Sequence, residues 1–209
     1  MKLFVLGATG ATGLQIVQQA LAQGHEVTAF VRDPAKLPIR HKRLKTVTGA
    51  LPGDGGALAE ALRGHDAVIS SLGLRNALKS NGLIENSMRV LVPTMEREGV
   101  RRLLIVSANG VGETHKRSPL LPRIMYRLLL TDIFADKQAG EDRVRASSLD
   151  WTIAYPTLLT DGPRTGAYRA GARLELKGMP KISRADVADF LLRQLADRAF
   201  VKKGAVLSS

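Results

Sequence analysis

Gly7, Gly10 and Gly13 recur every third residue in the run Gly7-Ala8-Thr9-Gly10-Ala11-Thr12-Gly13. The run lies between the apolar stretch LFVL and the helical stretch LQIVQQAL. Phosphate recognition needs backbone amides close together with no side chain in the way. Here Gly7 permits a tight turn, Gly10 lets backbone approach a pyrophosphate, and Gly13 lets helix and strand pack closely. The helix start adds unpaired amides and the positive end of its dipole. In this strand–loop–helix frame the pattern reads as the loop of a nicotinamide dinucleotide site. About 19 residues further on stands Arg32-Asp33. An acid at that point would hold the 2′-hydroxyl of NAD, whereas Arg would accept the 2′-phosphate of NADP. Asp33 precedes Pro34, and Asp-Pro makes a helix cap with proline at the first helical position. Asp33 thus has a structural task, and Arg32 heads a basic stretch. The pattern favours NADP, with NAD as the alternative.

Positioning these groups requires alternating elements. LFVLG is a strand, and Leu14, Val17 and Leu21 mark a helix closed by Gly24. HEVTAFVR and LKTVTG follow as strands, GALAEALRG as a short helix and DAVISSLG as a fourth strand. LIENSMRVLVPTMEREGV is helical, RRLLIVSANG a fifth strand, DKQAGEDRVRASS a helix and LDWTIAYP a sixth strand. SRADVADFLLRQLAD closes as a helix capped by Ser183. Such alternation predicts an α/β fold of Rossmann type, a doubly wound parallel sheet with helices on both faces. The expected organisation is one dinucleotide-binding domain over 1–209. A small substrate-side region would come from loop 110–135 and the C-terminal part. Residues 110–125 are the least regular stretch.

Apolar residues make up 44% and charged residues 24%, the balance of a soluble globular chain. No apolar stretch approaches the roughly 18 residues of a membrane span, and the N-terminal run reads as a strand rather than a signal peptide. The absence of Cys excludes disulfides, cysteine nucleophiles and thiolate metal sites. No spacing of His, Asp and Glu suits a metal. A cytoplasmic protein with no membrane partner is expected. The net charge of +12 raises nucleic acid as a partner. Only 4% of residues are aromatic and no reading motif is visible, which argues against it. Most of the basic residues between Arg32 and Lys45 read as a solvated face.

GATGATG, VRDP, DAVISSLG, LLIVSANG, Lys137-x-x-x-Glu141 with RASSLDWTIAYP, and SRADVADFLL together resemble the atypical short-chain dehydrogenases. Within these the chain resembles the NmrA-like group, and especially flavin reductase / biliverdin-IXβ reductase. LGLRNAL and DGPRTGAY extend the similarity over nearly the whole chain. The resemblance implies a pyrophosphate loop of Gly7, Thr9, Gly10, Ala11, Thr12 and Gly13, with Arg32 on the 2′-phosphate. It implies Leu72, Gly73 and Arg75 beside the nicotinamide ribose, Ser107 near the carboxamide, and Lys137 at a lysine position of many relatives. Pro156, Thr157 and Leu158 would back the nicotinamide ring.

The departures bear on chemistry. Tyr126 precedes Lys137 by eleven residues, so there is no Tyr-x-x-x-Lys and no tyrosine proton donor of the usual kind. Gly49-Ala50 stands where relatives often have Gly-Asp, and Tyr155-Pro156 where many have Arg-Pro. Alcohol oxidation and sugar epimerisation need a placed acid or base, whereas hydride transfer to a self-stabilising acceptor does not. Ser107 could orient a carboxamide or carbonyl, or simply end a strand. Lys137 could bind ribose, or form a surface ion pair with Glu141 at i, i+4. Tyr155 could stack near the nicotinamide or fill core. His25 and His65 read as turn residues, leaving His115 as the one histidine to test. The favoured function is an NADPH-dependent reductase whose partner is a small, flat, conjugated acceptor such as a flavin, quinone or tetrapyrrole. The alternative is a non-catalytic NmrA-like sensor of the dinucleotide.

Overall fold

Strand β1 (Lys2–Leu6) shows why the sheet is covered twice. Leu3, Phe4, Val5 and Leu6 are all buried, and successive side chains leave opposite faces. Leu3 and Val5 enter one apolar cluster, Phe4 and Leu6 the other. The architecture comes from a computed structural model that describes residues 1–73, 79–112, 114 and 131–209.

On one side of β1 lie β2 (Glu26–Val31) and β3 (Leu44–Thr48). On the other lie β4 (Ala67–Ser70), β5 (Arg102–Val106) and β6 (Asp150–Pro156). All pair in parallel, in the order β3-β2-β1-β4-β5-β6. Helices α1 (Ala11–Ala22) and α5 (Arg184–Arg193) supply one cluster; α2 (Gly55–Leu62), α3 (Leu83–Arg97) and α4 (Thr131–Arg145) supply the other. Ser183 caps α5 by accepting from the Asp186 amide at 2.9 Å, as its position in the sequence suggests.

Beyond the expected strands, β7 (Leu158–Thr160) and β9 (Lys181–Ser183) pair as a separate two-stranded ribbon. The antiparallel β8 (Arg169–Gly171) edges the main sheet, next to β10 (Lys203–Ser208), which pairs in parallel with β6. The run GAVL in β10 is too short to separate strand from helix by period, and β7 to β9 span three residues each.

Helix α3 begins at Gly82 with no side-chain cap of its own. Asp136 of α4 replaces it, accepting from the amides of Ile84 at 3.0 Å and Glu85 at 2.8 Å. A carboxylate at this end is favoured by the helix dipole. That contact fixes α4 against α3 and so aims the rest of α4 at the ends of β5 and β6.

Candidate functional site

Strand order reverses between β1 and β4, and crevices at such switch points, outside the carboxyl ends of strands, hold ligands. The loops after the two strands touch here: the Ser71 amide donates to the Leu6 carbonyl at 3.0 Å. Gly7 has φ of +76°, and a Cβ on it would lie 2.7 Å from the Ser71 carbonyl oxygen. A Cβ on Gly13 would lie 2.1 Å from the Gly7 carbonyl oxygen. The fold itself demands both glycines. Gly10 is different. Its backbone is extended, at φ −79° and ψ 160°, and a Cβ would meet only the Gly7 carbonyl oxygen, at 3.3 Å. Its chain neighbours aside, no other atom comes within 4 Å of that Cβ position, so the loop is clear of side chains there, as close backbone approach to a phosphate requires. Helix α1 starts at Ala11 with no side-chain cap and no acid in its first turn, so its first amides face that space. The residues present fit the phosphates of a dinucleotide.

Arg32 follows β2, is exposed, and makes no hydrogen bond or ion pair with a described residue. Asp33 has the structural task its Asp-Pro context suggests. It caps the short 3-10 helix Pro34–Lys36, accepting from the Ala35 amide at 3.0 Å, and lies 3.6 Å from Lys36 Nζ. The amide of Ala50 is taken by Asp54, at 2.7 Å.

A second group of polar residues gathers where β5 and β6 end. Ser107 follows β5, its amide donating to the Ala154 carbonyl at 2.8 Å. Its hydroxyl donates to Glu141 Oε1 at 2.5 Å. The Tyr155 hydroxyl donates to Glu141 Oε2, also at 2.5 Å, and receives Arg145 Nη2 at 2.8 Å. The Arg145 guanidinium lies 5.1 Å over the Trp151 ring. Gly112, with φ of +59°, closes over this group; a Cβ there would come within 2.7 Å of Glu141 Oε2. Lys137, Glu141 and Arg145 share one face of α4 by their four-residue spacing. Ser107, Lys137 and Glu141 line one crevice with Ser70, Leu72, Ile84 and Met88; its volume is about 10 Å³.

Burial pushes the Glu141 carboxyl above the usual range. The Ser107 and Tyr155 hydroxyls and the Arg145 and Lys137 charges oppose that shift without cancelling it. Burial likewise pulls Lys137 down against the attraction of Glu141 and Asp136, and pushes Tyr155 up with help from Glu141.

The surface ion pair expected between Lys137 and Glu141 does not form. Glu141 is 1% exposed and turned to Ser107 and Tyr155, and Lys137 is only partly exposed and makes no ion pair with it within 4.0 Å. The buried face of α4, through Asp136, Gly140, Glu141 and Val144, is half acidic, so hydrophobic spacing could not mark it. Glu141 and Arg145 are the residues that sequence reasoning missed. The pointer available was Lys137-x-x-x-Glu141 preceding a strand with Tyr155 in an Arg position.

Leu72 is half-buried beside Ser107 and Lys137, and Gly73 is exposed. Pro156 ends β6 and accepts from the Asn109 amide at 3.0 Å. Thr157 binds the Leu207 carbonyl of β10 through its amide and its hydroxyl, and Leu158 is 51% exposed. Arg75, His115, Tyr126 and most of loop 110–125 lie outside the described residues. His25 and His65 sit in turns. His65 also anchors its turn, with Nε2 2.9 Å from the Thr28 hydroxyl and its ring edge-on to Phe4.

This combination of fold and loop defines a Rossmann-type dinucleotide-binding protein. The chain belongs to the NAD(P)H-binding family whose model matches residues 7–198. It is 32% identical over 173 residues to an uncharacterized chloroplastic protein of Arabidopsis thaliana, covering 79% of this chain and 61% of that one. It is 28% identical over 210 residues to the uncharacterized protein YwnB of Bacillus subtilis, covering 93% and 92%. The chain thus spans less than two thirds of the plant relative and nearly all of the bacterial one. Among solved structures, the anaerobillin reductase ChuY of Escherichia coli O157:H7 superposes with TM-score 0.81 at 22% identity, covering 99% of this chain and 96% of that one. A short-chain dehydrogenase/reductase of Veillonella parvula in complex with NADP gives TM-score 0.81 at 20% identity, covering 100% and 94%. Both likenesses extend to the whole α/β architecture.

Proposed function

We propose that the protein is an NADPH-dependent reductase that transfers hydride to a small, flat, conjugated acceptor such as a flavin, a quinone or a tetrapyrrole. The observation that carries this reading is the glycine loop with the uncapped start of α1 at the switch point of the sheet, with Ser107 and Lys137 near the neighbouring strand ends. The sequence resemblance to flavin reductase / biliverdin-IXβ reductase points the same way. The reductase and NADP-bound folds it shares are compatible with it.

The bound cofactor supplies the hydride. Gly7, Gly10, Gly13 and the start of α1 hold its phosphates, with Thr9, Ala11 and Thr12 completing the cradle. Arg32, with no partner of its own among the described residues, takes the 2′-phosphate. Leu72 and Gly73 border the nicotinamide ribose, a role the sequence resemblance extends to Arg75; Pro156, Thr157 and Leu158 back the ring. Lys137 offers a donor to ribose, and Ser107 orients the carboxamide or the acceptor. The protein works in the cytoplasm on this reading, and among the described residues no helix is long and apolar enough to cross a membrane.

NADPH oxidation measured with a flavin, a benzoquinone, a linear tetrapyrrole and N-methylphenazinium tests the proposal. Steady turnover with at least one acceptor is expected. Tight NADPH binding with no turnover on any of them would overturn it in favour of a dinucleotide sensor.

A further inference from the structure

Two hydroxyls, Ser107 and Tyr155, share the one carboxyl group of Glu141, each at 2.5 Å. Counting donors shows what that arrangement does. A carboxylate accepts only, so with Glu141 ionised both hydroxyls point their protons at it, and Ser107 turns its lone pairs to the crevice. A neutral carboxyl carries one proton of its own. Tyr155, held from behind by Arg145, still donates to Oε2, so the Glu141 proton sits on Oε1 and points at Ser107 Oγ. Ser107 must then direct its own proton into the crevice. No heavy atom has to move between the two states. The protonation of Glu141 therefore decides whether Ser107 is an acceptor or an acid toward whatever lies beside it.

Resting on the reductase reading above, we propose that Glu141 is the proton reservoir of this site and that Ser107 passes its proton to the acceptor. Hydride from NADPH forms the new C–H or N–H bond and leaves NADP⁺. The Ser107 Oγ–H bond breaks as its proton moves to the acceptor oxygen or nitrogen that has gained the electron pair. The Glu141 Oε1–H bond breaks as that proton restores the serine hydroxyl. Glu141 is left as a carboxylate that accepts from both hydroxyls, and water reprotonates it between turnovers. The favoured acceptors are accordingly those that need a proton as well as a hydride, such as conjugated carbonyls and quinones. The groups facing Glu141 are Lys137 and Arg145 on its own helix, Ser107 after β5, Tyr155 on β6 and the backbone of Gly112. The two cations favour the carboxylate and burial favours the neutral acid; the net effect lifts the carboxyl above its ordinary value. Ser107 is thus the catalytic residue, and Glu141 acts through it.

Glu141→Gln is the discriminating change. Its amide can still donate to Ser107 and accept from Tyr155, so the geometry survives, but it has no proton to give. Rates with a benzoquinone, which needs hydride and proton, are compared with rates on N-methylphenazinium, which needs hydride alone. The variant should lose about 10²-fold or more on the quinone, the scale of acid catalysis, and at least tenfold less on the phenazinium. In the parent protein the quinone rate should fall as pH rises through the Glu141 transition, and the variant should lack that limb. Tyr155→Phe removes a donor that favours the carboxylate, so it should move the limb to higher pH. A carboxyl ¹³C NMR titration of the cofactor-free chain gives a readout independent of turnover. The Glu141 signal, assigned by its loss in the Gln variant, should titrate above the ordinary value near 4.3 and move further up in Tyr155→Phe. Equal losses on both acceptors, no loss on the quinone, or titration at or below the ordinary value would overturn the relay. A parent protein that reduces neither acceptor would instead overturn the reductase reading, and the NMR titration would still decide the state of Glu141.

Discussion

Gly10 separates what the fold needs from what a ligand needs. Its backbone is extended and its Cβ would press on one atom alone, the Gly7 carbonyl oxygen at 3.3 Å, so Gly10→Val should lower the unfolding midpoint only slightly, far less than a side chain at Gly7 or Gly13. NADPH affinity should fall by two orders of magnitude or more, because the side chain stands in the phosphate space; calorimetric titration beside thermal unfolding would show both. Arg32 gives the companion test. A charge-assisted, often bidentate contact to a phosphate contributes about 1.5–3 kcal/mol, and NADH offers only a hydroxyl there. Preference for NADPH should be on the order of 10- to 100-fold, since ~1.4 kcal/mol is a factor of ten. Arg32→Ala should weaken NADPH and leave NADH nearly unchanged, and Arg32→Lys should restore part of the loss because it lacks the fork. Equal affinity of the parent for both cofactors would remove the assignment.

Helices α3 and α4 show how far sequence reasoning reaches. The order of strands and helices through β6, the glycine loop, the Ser183 cap and the occupation of Asp33 were all legible, because each rests on local spacing or on one residue's backbone preference. The buried face of α4 was not. Of its inward residues, Glu141 reads as half of a surface ion pair and Asp136 carries no apolar mark, and only the partners brought by α3, β5 and β6 turn them inward. Strands β7 to β10 escaped for a different reason: they are short, and pairing rather than pattern defines them. Asp136 can be tested as the replacement cap of α3. Asp136→Ala would leave the Ile84 and Glu85 amides without their acceptor, at a cost of about 2–3 kcal/mol for a charge-assisted pair of bonds. Denaturant unfolding should record that loss, with α3 losing amide-exchange protection first at its N-terminal turn.

Over the whole molecule the net charge of +12 makes acid the hazardous direction. Asp186 is buried, which alone would raise its pKa. The amides of Gly166 and Thr165 and the hydroxyls of Thr165 and Ser183 outweigh burial and hold it below the usual range. A folded-state pKa below the unfolded value gives stability that is full above the unfolded pKa and lost as pH falls through the folded one. Each carboxylate protonated also adds to the positive excess. Stability should therefore drop steeply below about pH 4, near the unfolded carboxylate values, and added salt should recover part of it by screening. Glu141 has the opposite sign: its raised pKa removes stability as pH climbs from the unfolded value through the folded one. Thermal unfolding between pH 3 and 8 at two salt concentrations checks both. Removing Glu141 as Gln should flatten the upper part of the curve and leave the acid limb in place.

The unequal status of the three loop glycines has a consequence for descent. A lineage that abandoned the nucleotide while keeping the fold would remain bound to glycine at positions 7 and 13, where the chain's own atoms forbid anything larger. Position 10 would be released and would drift. Loss of the middle glycine, with the outer two intact, is then the mark by which a descendant of this scaffold that has stopped using dinucleotides could be recognised from its sequence.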